Sequence, residues 1–451
     1  MPAIASRGRL CLGAALFLAL GSGPAAFAQS GGTYFLSNNL LLSRVVYDNK
    51  RSNVVVGMQL PPGCAPAHCV SAITDGTYPY VWNNAQVDGS FGITAKIILD
   101  QLTPSGIPIN SLEVPNSSRK GVPSTADQMV TSFSSKSELA LNLSTDGQSV
   151  SFMGYLAPVN ALDVSNSNTP GVVDPTNPVP GLNYRVVAQI NAKGKLHFTA
   201  TNAYSGNNGR AAILNADDGV LYAAGNAGNG SNPQPNGVIL GAGAQILTPE
   251  VNLLVAQSPG LPTPVGSFNI TELGDKPDKI GKDTNFRGLS IFDNVIYYTK
   301  GSGGNGVNTV YFLDTTGKAC PDGVGLPAAG AQLPTTGLSY DLSTLQETGL
   351  PSNMCILKGF NTELAKTSTN SFPFGLFFAN PATLYVADGT IWAITSTVSG
   401  SSDQGADPNK LVTITDPLSA TSPVAGESFR TIRAAGFGEV LRGVSFTPGS
   451  R

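Results

Sequence analysis

Apolar and polar residues alternate over short stretches along the whole chain. Runs rich in Val, Ile, Leu, Tyr and Phe recur, and Gly, Pro, Asn, Asp or Ser bounds each of them. This pattern is typical of β-strands, and no stretch sustains the 3.6-residue apolar period of a helix. The chain is therefore predicted to be all-β. The predicted strands are 40–47, 53–58, 93–99, 139–143, 149–155, 184–190, 195–200, 220–224, 295–299, 309–313, 383–387, 390–395 and 410–415.

Two short connections between predicted strands carry the residues of tight turns. Asn191 and Gly194 bound one connection, and Asp388-Gly389 forms the other. Asn, Asp and Gly tolerate the positive φ that hairpin turns need. We therefore expect a hairpin at each of these two places.

A strand–turn–strand unit recurs along the chain. Its clearest copy is FRGLSIFDNVIYYT at 286–299, where Asp293-Asn294 separates two apolar runs. Similar units are GRAAILNADDGVLYA at 209–223, FGLFFANPATLYVA at 374–387 and a truncated copy, LRGVSFTP, at 441–448. The spacing of the copies is uneven, which indicates long loops inserted between them.

Repeated small β-units with variable loops are typical of a β-propeller, because one blade cannot bury its own faces without neighbours. We expect seven blades of about 60 residues, longer than the roughly 40–50 of common repeats, with six or eight blades as alternatives. The truncated last copy would leave an unpaired edge unless the N-terminal run 34–47 completes its blade. The expected architecture is a ring closed by pairing of the N- and C-terminal strands. A right-handed β-helix is the second choice, although its rungs would be shorter and more regular.

The composition agrees with a loop-rich globular protein. The 451 residues include 52 Gly and 32 Pro, 41% are hydrophobic, and only 12% are charged. A disordered chain would carry more charge, and a coiled coil would contain far less Gly and Pro. These two classes are excluded.

The N-terminus has the features of a secretory signal peptide. Arg7 and Arg9 precede an apolar run at 10–20, and Ala26-Phe27-Ala28 has the small-x-small pattern of a cleavage site. The run is too short for the roughly 20 residues of a transmembrane helix. We expect residues 1–28 to be removed and 29–451 to form one secreted or periplasmic propeller domain, with no membrane span. Since acidic residues outnumber basic ones, 29 to 26, we expect no nucleic-acid partner, and we expect a monomer.

Four cysteines remain after this cleavage, which is an even number in an exported protein. Two disulfides are therefore expected, and the simplest pairing is Cys64 with Cys69 and Cys320 with Cys355. The second bridge would staple a long insertion near 316–370. Zinc is a weaker alternative, because His68 is the only further ligand beside the Cys-x4-Cys pair.

An arginine stands at the start of one strand in three of the repeats. These residues are Arg210, Arg287 and Arg442. If they begin the innermost strands, pseudo-symmetry places them at one level of the central channel, where guanidinium groups bind carboxylate or phosphate. The competing interpretation is structural, with each arginine pairing to a loop Asp or a carbonyl and fixing blade against blade.

Other candidate chemistry is sparse, and no catalytic residues are identified. Oxygen ligands precede two of the arginines, and they suggest a calcium site at the channel mouth; they are Asn207, Asn208, Asp283 and Asn285. The same residue types are common in turns. The chain has two histidines, and His197 alternates with apolar residues, so it is expected on the surface of a strand. Tyr78, Tyr80 and Trp82 would share one strand face, suited either to stacking on a sugar or to packing between blades.

Several of these segments together resemble a group of uncharacterised secreted, propeller-like proteins of bacteria and fungi. The segments are DGSFGIT at 88–94, TNAYSGNNGRAA at 201–212, FRGL at 286–289, KGSGGNG at 300–306 and RGVSF at 442–446. The resemblance covers nearly the whole mature chain. It implies the propeller fold and export, and it implies no activity or catalytic residues.

Two functions are compatible with this sequence. The first is a non-catalytic binding or scaffold propeller whose loops recognise an extracellular ligand, polymer or protein. The second is a propeller hydrolase of the lactonase, phosphatase or glycosidase kind, with channel-mouth calcium and carboxylates such as Asp283 and Asp388. The lack of a histidine pair or a paired-carboxylate motif favours the first.

Overall fold

The structure is a computed structural model of the 451-residue chain. The structure describes residues 32–48, 50–60, 70–72, 93–118, 128–132, 139–161, 185–201, 204, 209–225, 243–247, 249, 286–300, 307–314, 324–327, 333, 339–341, 346–348, 353–358, 363–364, 388–395, 409–417 and 425–450.

The described residues are almost entirely extended, as the alternating pattern predicts. Their only helical element is one 3-10 turn, Arg51–Asn53. No helix among them is long and apolar enough to cross a membrane. The strands are β1 (Leu40–Val46), β2 (Gln59–Leu60), β3 (Val70–Ser71), β4 (Thr94–Leu102), β5 (Pro108–Glu113), β6 (Thr131–Ser132), β7 (Asn142–Leu143), β8 (Ser149–Tyr155), β9 (Arg185–Asn191), β10 (Leu196–Thr201), β11 (Gly209–Asn215), β12 (Val220–Gly225), β13 (Ala244–Leu247), β14 (Phe286–Phe292), β15 (Val295–Lys300), β16 (Val307–Asn308), β17 (Val310–Asp314), β18 (Val324–Gly325), β19 (Ser339–Asp341), β20 (Gln346–Thr348), β21 (Asn353–Leu357), β22 (Glu363–Leu364), β23 (Asp388–Ile394), β24 (Lys410–Pro417), β25 (Arg430–Ala434) and β26 (Glu439–Phe446).

Five sheets of three or more strands form the blades of a β-propeller arrangement. Their strand orders are β26-β1-β4-β5 in sheet I, with β6 also on β4; β7-β8-β9-β10 in sheet II; β11-β12-β13 in sheet III; β14-β15-β17-β21-β18 in sheet IV; and β23-β24-β25 in sheet V. Smaller two-stranded ribbons join β2 with β3, β16 with β22 and β19 with β20.

The expectation of seven blades is wrong, because the described residues form five. That expectation divided the chain into repeats of about 60 residues. In the structure β11, the first strand of sheet III, begins at residue 209, and β14, the first strand of sheet IV, begins at residue 286. These two blades therefore begin further apart in sequence than the estimate allowed.

Sheet I is built from both ends of the propeller. Strand β1 pairs antiparallel with β26 along its whole length, from Leu40 opposite Phe446 to Val46 opposite Glu439. This confirms that the truncated last repeat pairs with the N-terminal run. A closed ring stays a prediction, because the segment 365–387 before sheet V lies outside the described residues.

The repeat hairpins at 209–223 and 286–299 form as predicted, whereas the copy at 374–387 lies outside the described residues. Strands β14 and β15 pair through Asp293 (φ 48°) and Asn294 (φ 57°), which have the two positive φ values of a type I′ turn. At the Asn191 turn, Gly194 has φ 73°, and the Asn191 side-chain oxygen accepts hydrogen bonds from the amides of Lys193 and Lys195. The turn therefore depends on the predicted residue types.

Other local predictions are wrong. Asp388 and Gly389 lie inside β23, opposite Pro417 and Asp416, because β24 extends far enough to pair with them. The run 53–58 is not a strand: it follows the 3-10 turn and bends at Gly57, whose φ is 85°. Apolar composition alone does not supply a pairing partner, and without one this run forms a loop.

The described residues include one cysteine, Cys355. Cys355 is buried on β21 and is disulfide-bonded. Cys64, Cys69 and Cys320 lie outside the described residues. The two proposed pairings therefore stay predictions.

The hydrophobic core lies in the seams between neighbouring sheets. All six residues of β12 are buried, because both faces of sheet III are covered. Tyr222 packs towards sheet IV, whereas Leu221 packs with Met153 and Val187 of sheet II. Leu40 and Leu42 pack with Leu411 of sheet V. Neighbouring residues of a strand therefore face opposite sides of the sheet and pack into two different seams.

Two backbones approach closely at the seam between sheets I and II. The hydroxyl of Ser43 donates to the carbonyl oxygen of Leu139 at 2.9 Å and accepts from the amide of Gly443 at 2.8 Å. A Cβ atom on Gly443 would overlap the Leu139 oxygen and would lie 2.8 Å from the Leu141 nitrogen. Glycine is required here because backbone stands where a side chain would begin.

We expect Gly443→Ala to destabilise the protein by about 1–3 kcal/mol, since the new methyl group must push two sheets apart. Urea unfolding followed by circular dichroism measures this loss. Gly219→Asn is the comparison variant, because Gly219 has φ 65° and open space around it, and Asn tolerates that φ. An equal loss in the two variants would contradict the close-approach argument.

Candidate functional site at the inner strands

The three repeated arginines occupy the same kind of position in three sheets. Each is the extra residue of a β-bulge. The register of β11 on β12 shifts between Gly209 and Ala211, and that of β14 on β15 shifts between Phe286 and Gly288. In sheet I, Ser43 pairs with Gly443 and Arg44 with Leu441, so Arg442 is skipped. The repeat predicted this equivalence, although it did not predict the bulges.

A bulge redirects the side chain of its extra residue relative to the rest of the strand. Arg210 and Arg287 are nevertheless buried, with 4% and 5% of their surface exposed. Arg442 is partly buried on β26. Two of the three guanidinium groups are therefore surrounded by protein atoms and not by bulk water. A charge in such surroundings needs polar partners.

Arg210 connects two sheets. Its NH1 group donates a 3.0 Å hydrogen bond to the carbonyl oxygen of Phe286. Phe286 belongs to the inner strand of sheet IV and directly precedes Arg287. Arg210 thus binds the strand that carries Arg287. This contact matches the structural interpretation of the repeated arginines, in which each one fixes one blade against the next. The use of Arg287 and Arg442 for a ligand stays a prediction.

Two further buried cations lie at the same edge of the sheets, and sequence reasoning missed both. Arg185 begins β9, and its guanidinium carbon lies 5.1 Å from the ring centroid of Tyr155, the last residue of β8. Lys300 ends β15 opposite Phe286, and its ammonium group lies 5.9 Å from the Phe286 ring centroid. Both residues are fully buried. Because neighbouring strands are antiparallel, these positions coincide with the edge at which the inner strands begin.

The only available sequence signal for these two residues is charge in an otherwise apolar run. Arg185 lies within the predicted strand 184–190, and Lys300 directly follows the predicted strand 295–299. Charged residues are rarely fully buried unless they have partners. A single sequence does not reveal which charged residue will be enclosed, since the enclosing atoms come from distant segments.

Three buried tyrosines lie along the seams of sheet III. The hydroxyl of Tyr204 donates to the carbonyl oxygen of Gly243 at 3.1 Å, and burial raises the pKa of Tyr204 well above its usual value. Burial also raises the pKa of Tyr298, and it raises the pKa of Tyr222 to about 12 despite the nearby Asn215 amide. These groups stay neutral at physiological pH.

The predicted calcium ligands lie outside the described residues; they are Asn207, Asn208, Asp283 and Asn285. The aromatic residues Tyr78, Tyr80 and Trp82 lie outside them as well. Within the described part of the chain, no three His, Cys, Asp or Glu side chains group together as a metal site would need. The calcium site stays a prediction.

Two individual side chains can be assigned a role. His197 is exposed on β10, opposite Gln189, which confirms its expected surface position. Trp392 makes an edge-on ring contact with Phe446 at 5.7 Å and donates its indole N–H to the Pro104 carbonyl oxygen at 3.1 Å. It therefore packs between sheets V and I.

Comparison of the chain with known protein families and with curated proteins finds no match. No residue role is therefore transferred from another protein, and the site rests on its own geometry.

We expect Arg210→Met to lower the free energy of unfolding by about 1.5–3 kcal/mol, since it removes a hydrogen bond from a charged donor while keeping an apolar stem of similar length. Chemical denaturation measures this change. The control is Arg430→Met, because Arg430 is exposed at the start of β25 and should shift stability by less than about 0.5 kcal/mol. Equal effects would show that the Phe286 contact adds nothing.

The buried tyrosines predict a loss of stability in alkali. A group whose pKa is raised by folding stabilises the protein fully below its unfolded pKa, near 10, and this stabilisation is lost as the pH rises through the folded value. For Tyr222 that window runs from about 10 to about 12. The free energy of unfolding, obtained from urea unfolding at pH values from 9 to 12, should fall as the pH rises. Tyr222→Phe should reduce the slope of this free energy against pH by up to about 1.4 kcal/mol per pH unit. An unchanged slope would contradict the burial argument.

Proposed function

We propose that this protein is an exported five-bladed β-propeller that acts as a non-catalytic binding or scaffold protein outside the cytoplasm, and that its ligand is anionic. The observation that carries the proposal is the recurrence of an arginine at the bulge of three inner strands. The proposed ligand groups are carboxylate or phosphate, on a polymer or on another protein.

The placement of charge supports an anionic ligand. The chain has a net charge of −3, yet buried cations lie at the edge where the inner strands begin in sheets II to IV, and Arg442 lies partly buried further along β26 of sheet I. In a propeller the inner strands border the central channel. A positive charge enclosed by protein is screened less than one in water, so its field reaches further into such a channel.

The chemistry of arginine also favours this ligand class. A guanidinium group offers planar paired donors that match a carboxylate or phosphate, and it stays charged at every physiological pH. NH1 of Arg210 donates to the Phe286 carbonyl oxygen, which assigns this arginine a part in positioning the neighbouring strand. We assign ligand contact to Arg287 and Arg442 because they stand at the equivalent bulges of sheets IV and I.

Two probes test the proposal in the purified mature protein: inorganic phosphate, and polygalacturonate as a polymer of carboxylates. We expect at least one to bind in titration calorimetry and to raise the melting temperature. Arg287→Gln and Arg442→Gln should each weaken that binding by about tenfold or more, because a charged hydrogen bond contributes about 1.5–3 kcal/mol.

Arg430→Gln is the matched control, since it removes an equal charge from an exposed position and should leave affinity unchanged. All variants should first show a wild-type circular dichroism spectrum. Failure of both probes to bind, or equal weakening by the control, would overturn the anionic-ligand assignment. A melting temperature that depends on calcium would instead favour the hydrolase alternative.

A further inference from the structure

A buried carboxylate joins strands from both ends of the chain. Asp100 on β4 has 2% of its side chain exposed. Its oxygens accept hydrogen bonds from Arg44 on β1, from Nε at 2.7 Å and from NH2 at 3.1 Å, and from the hydroxyl of Ser111 on β5 at 2.6 Å. One side chain thus links three adjacent strands of sheet I.

The same carboxylate reaches the neighbouring sheet. NH2 of Arg433, on β25 of sheet V, lies 2.9 Å from Oδ2 of Asp100. NH1 of Arg44 pairs with Oε1 of Glu439, the first residue of β26, at 2.5 Å. The other oxygen of Glu439 accepts from the amide of Gly436 at 3.0 Å, within the connection from β25 to β26. We call Arg44, Asp100, Arg433 and Glu439 the charge clasp.

Geometry and burial separate the charge clasp from ordinary surface ion pairs. It contains two cations and two anions, and its guanidinium groups are only 15% and 23% exposed. Sheet I also carries a surface pair, Lys96 with Glu113, at 3.7 Å and about one-third exposed on both sides. Pairs of that kind contribute little, whereas removing one member of a buried network leaves charges without their counterparts.

We propose that the charge clasp is a conformational device that controls local opening of the strands contributed by the two chain ends and of the seam between sheets I and V. While Asp100 is ionised, β1, β4, β5 and β25 are tied to one carboxylate. When that charge is lost, Arg44 and Arg433 face each other with Glu439 as the remaining anion. The end strands β1, β26 and β25 then open ahead of the other sheets.

The titration of Asp100 sets the conditions for opening. Burial alone would raise its pKa, but hydrogen bonds from Arg44 and Ser111, together with the charges of Arg44 and Arg433, outweigh burial and hold the pKa below its usual value. A lowered pKa gives stability that is present above the unfolded value and is lost as the pH falls through the folded value. The charge clasp therefore stays closed throughout the range in which an ordinary carboxyl group titrates, and it opens only as the pH falls below that range.

Hydrogen exchange of the full mature protein, followed by mass spectrometry at neutral pH, tests the proposal. In Asp100→Asn we expect exchange in β1, β25 and β26 to accelerate by about tenfold or more, while exchange in β12 of sheet III stays at the wild-type rate. Lys96→Gln is the matched control, because it removes a charge pair from the same strand and should leave all these rates unchanged.

Arg433→Gln keeps the proposal testable if Asp100→Asn does not fold. It removes only the ion pair between sheet V and Asp100. We therefore expect β25 to exchange faster, while β1 stays protected by the contact between Arg44 and Asp100. Uniform acceleration in all sheets, or rates equal to those of Lys96→Gln, would show that the charge clasp does not control local opening and would overturn the proposal.

Discussion

The rest of this structure depends on one constraint, which is that a sheet buries both of its faces only when it lies between two neighbouring sheets. A sheet such as sheet III, whose strand β12 is buried along its whole length, gains that burial only from neighbours on both sides. The apolar residues therefore serve two seams at once, and the polar groups in the seams must pair across them. The bonds from Ser43 to Leu139 and from Arg210 to Phe286 are consequences of this constraint.

The sequence predicted the local structure best where pattern and turn chemistry agree. The predicted strand 149–155 coincides with β8, and the hairpin at Asp293-Asn294 forms with the expected positive φ values. Strand β5 was missed because it begins with a proline, carries polar residues and lies at the exposed edge of sheet I. The number of blades was wrong because a repeat shows where units begin but does not show how much of each is loop.

The candidate site was predictable in position but not in environment. The repeat placed Arg210, Arg287 and Arg442 at equivalent points, and the structure gives each a bulge. Burial of the first two and the contact with Phe286 depend on which segments enclose them. The charge clasp was not predicted at all, since its four members come from four strands, two near each end of the chain, and carry no shared motif.

Pairing of β1 with β26 also brings the two ends of the described propeller to one place. The amide of Asn38 donates to the hydroxyl of Ser450 at 2.8 Å, and the amide of Thr447 donates to the carbonyl oxygen of Asn39 at 2.9 Å. This point lies where β26 finishes, at the edge of sheet I opposite the one where β26 begins. A surface tether or fused domain attached at either end would therefore emerge from the same spot.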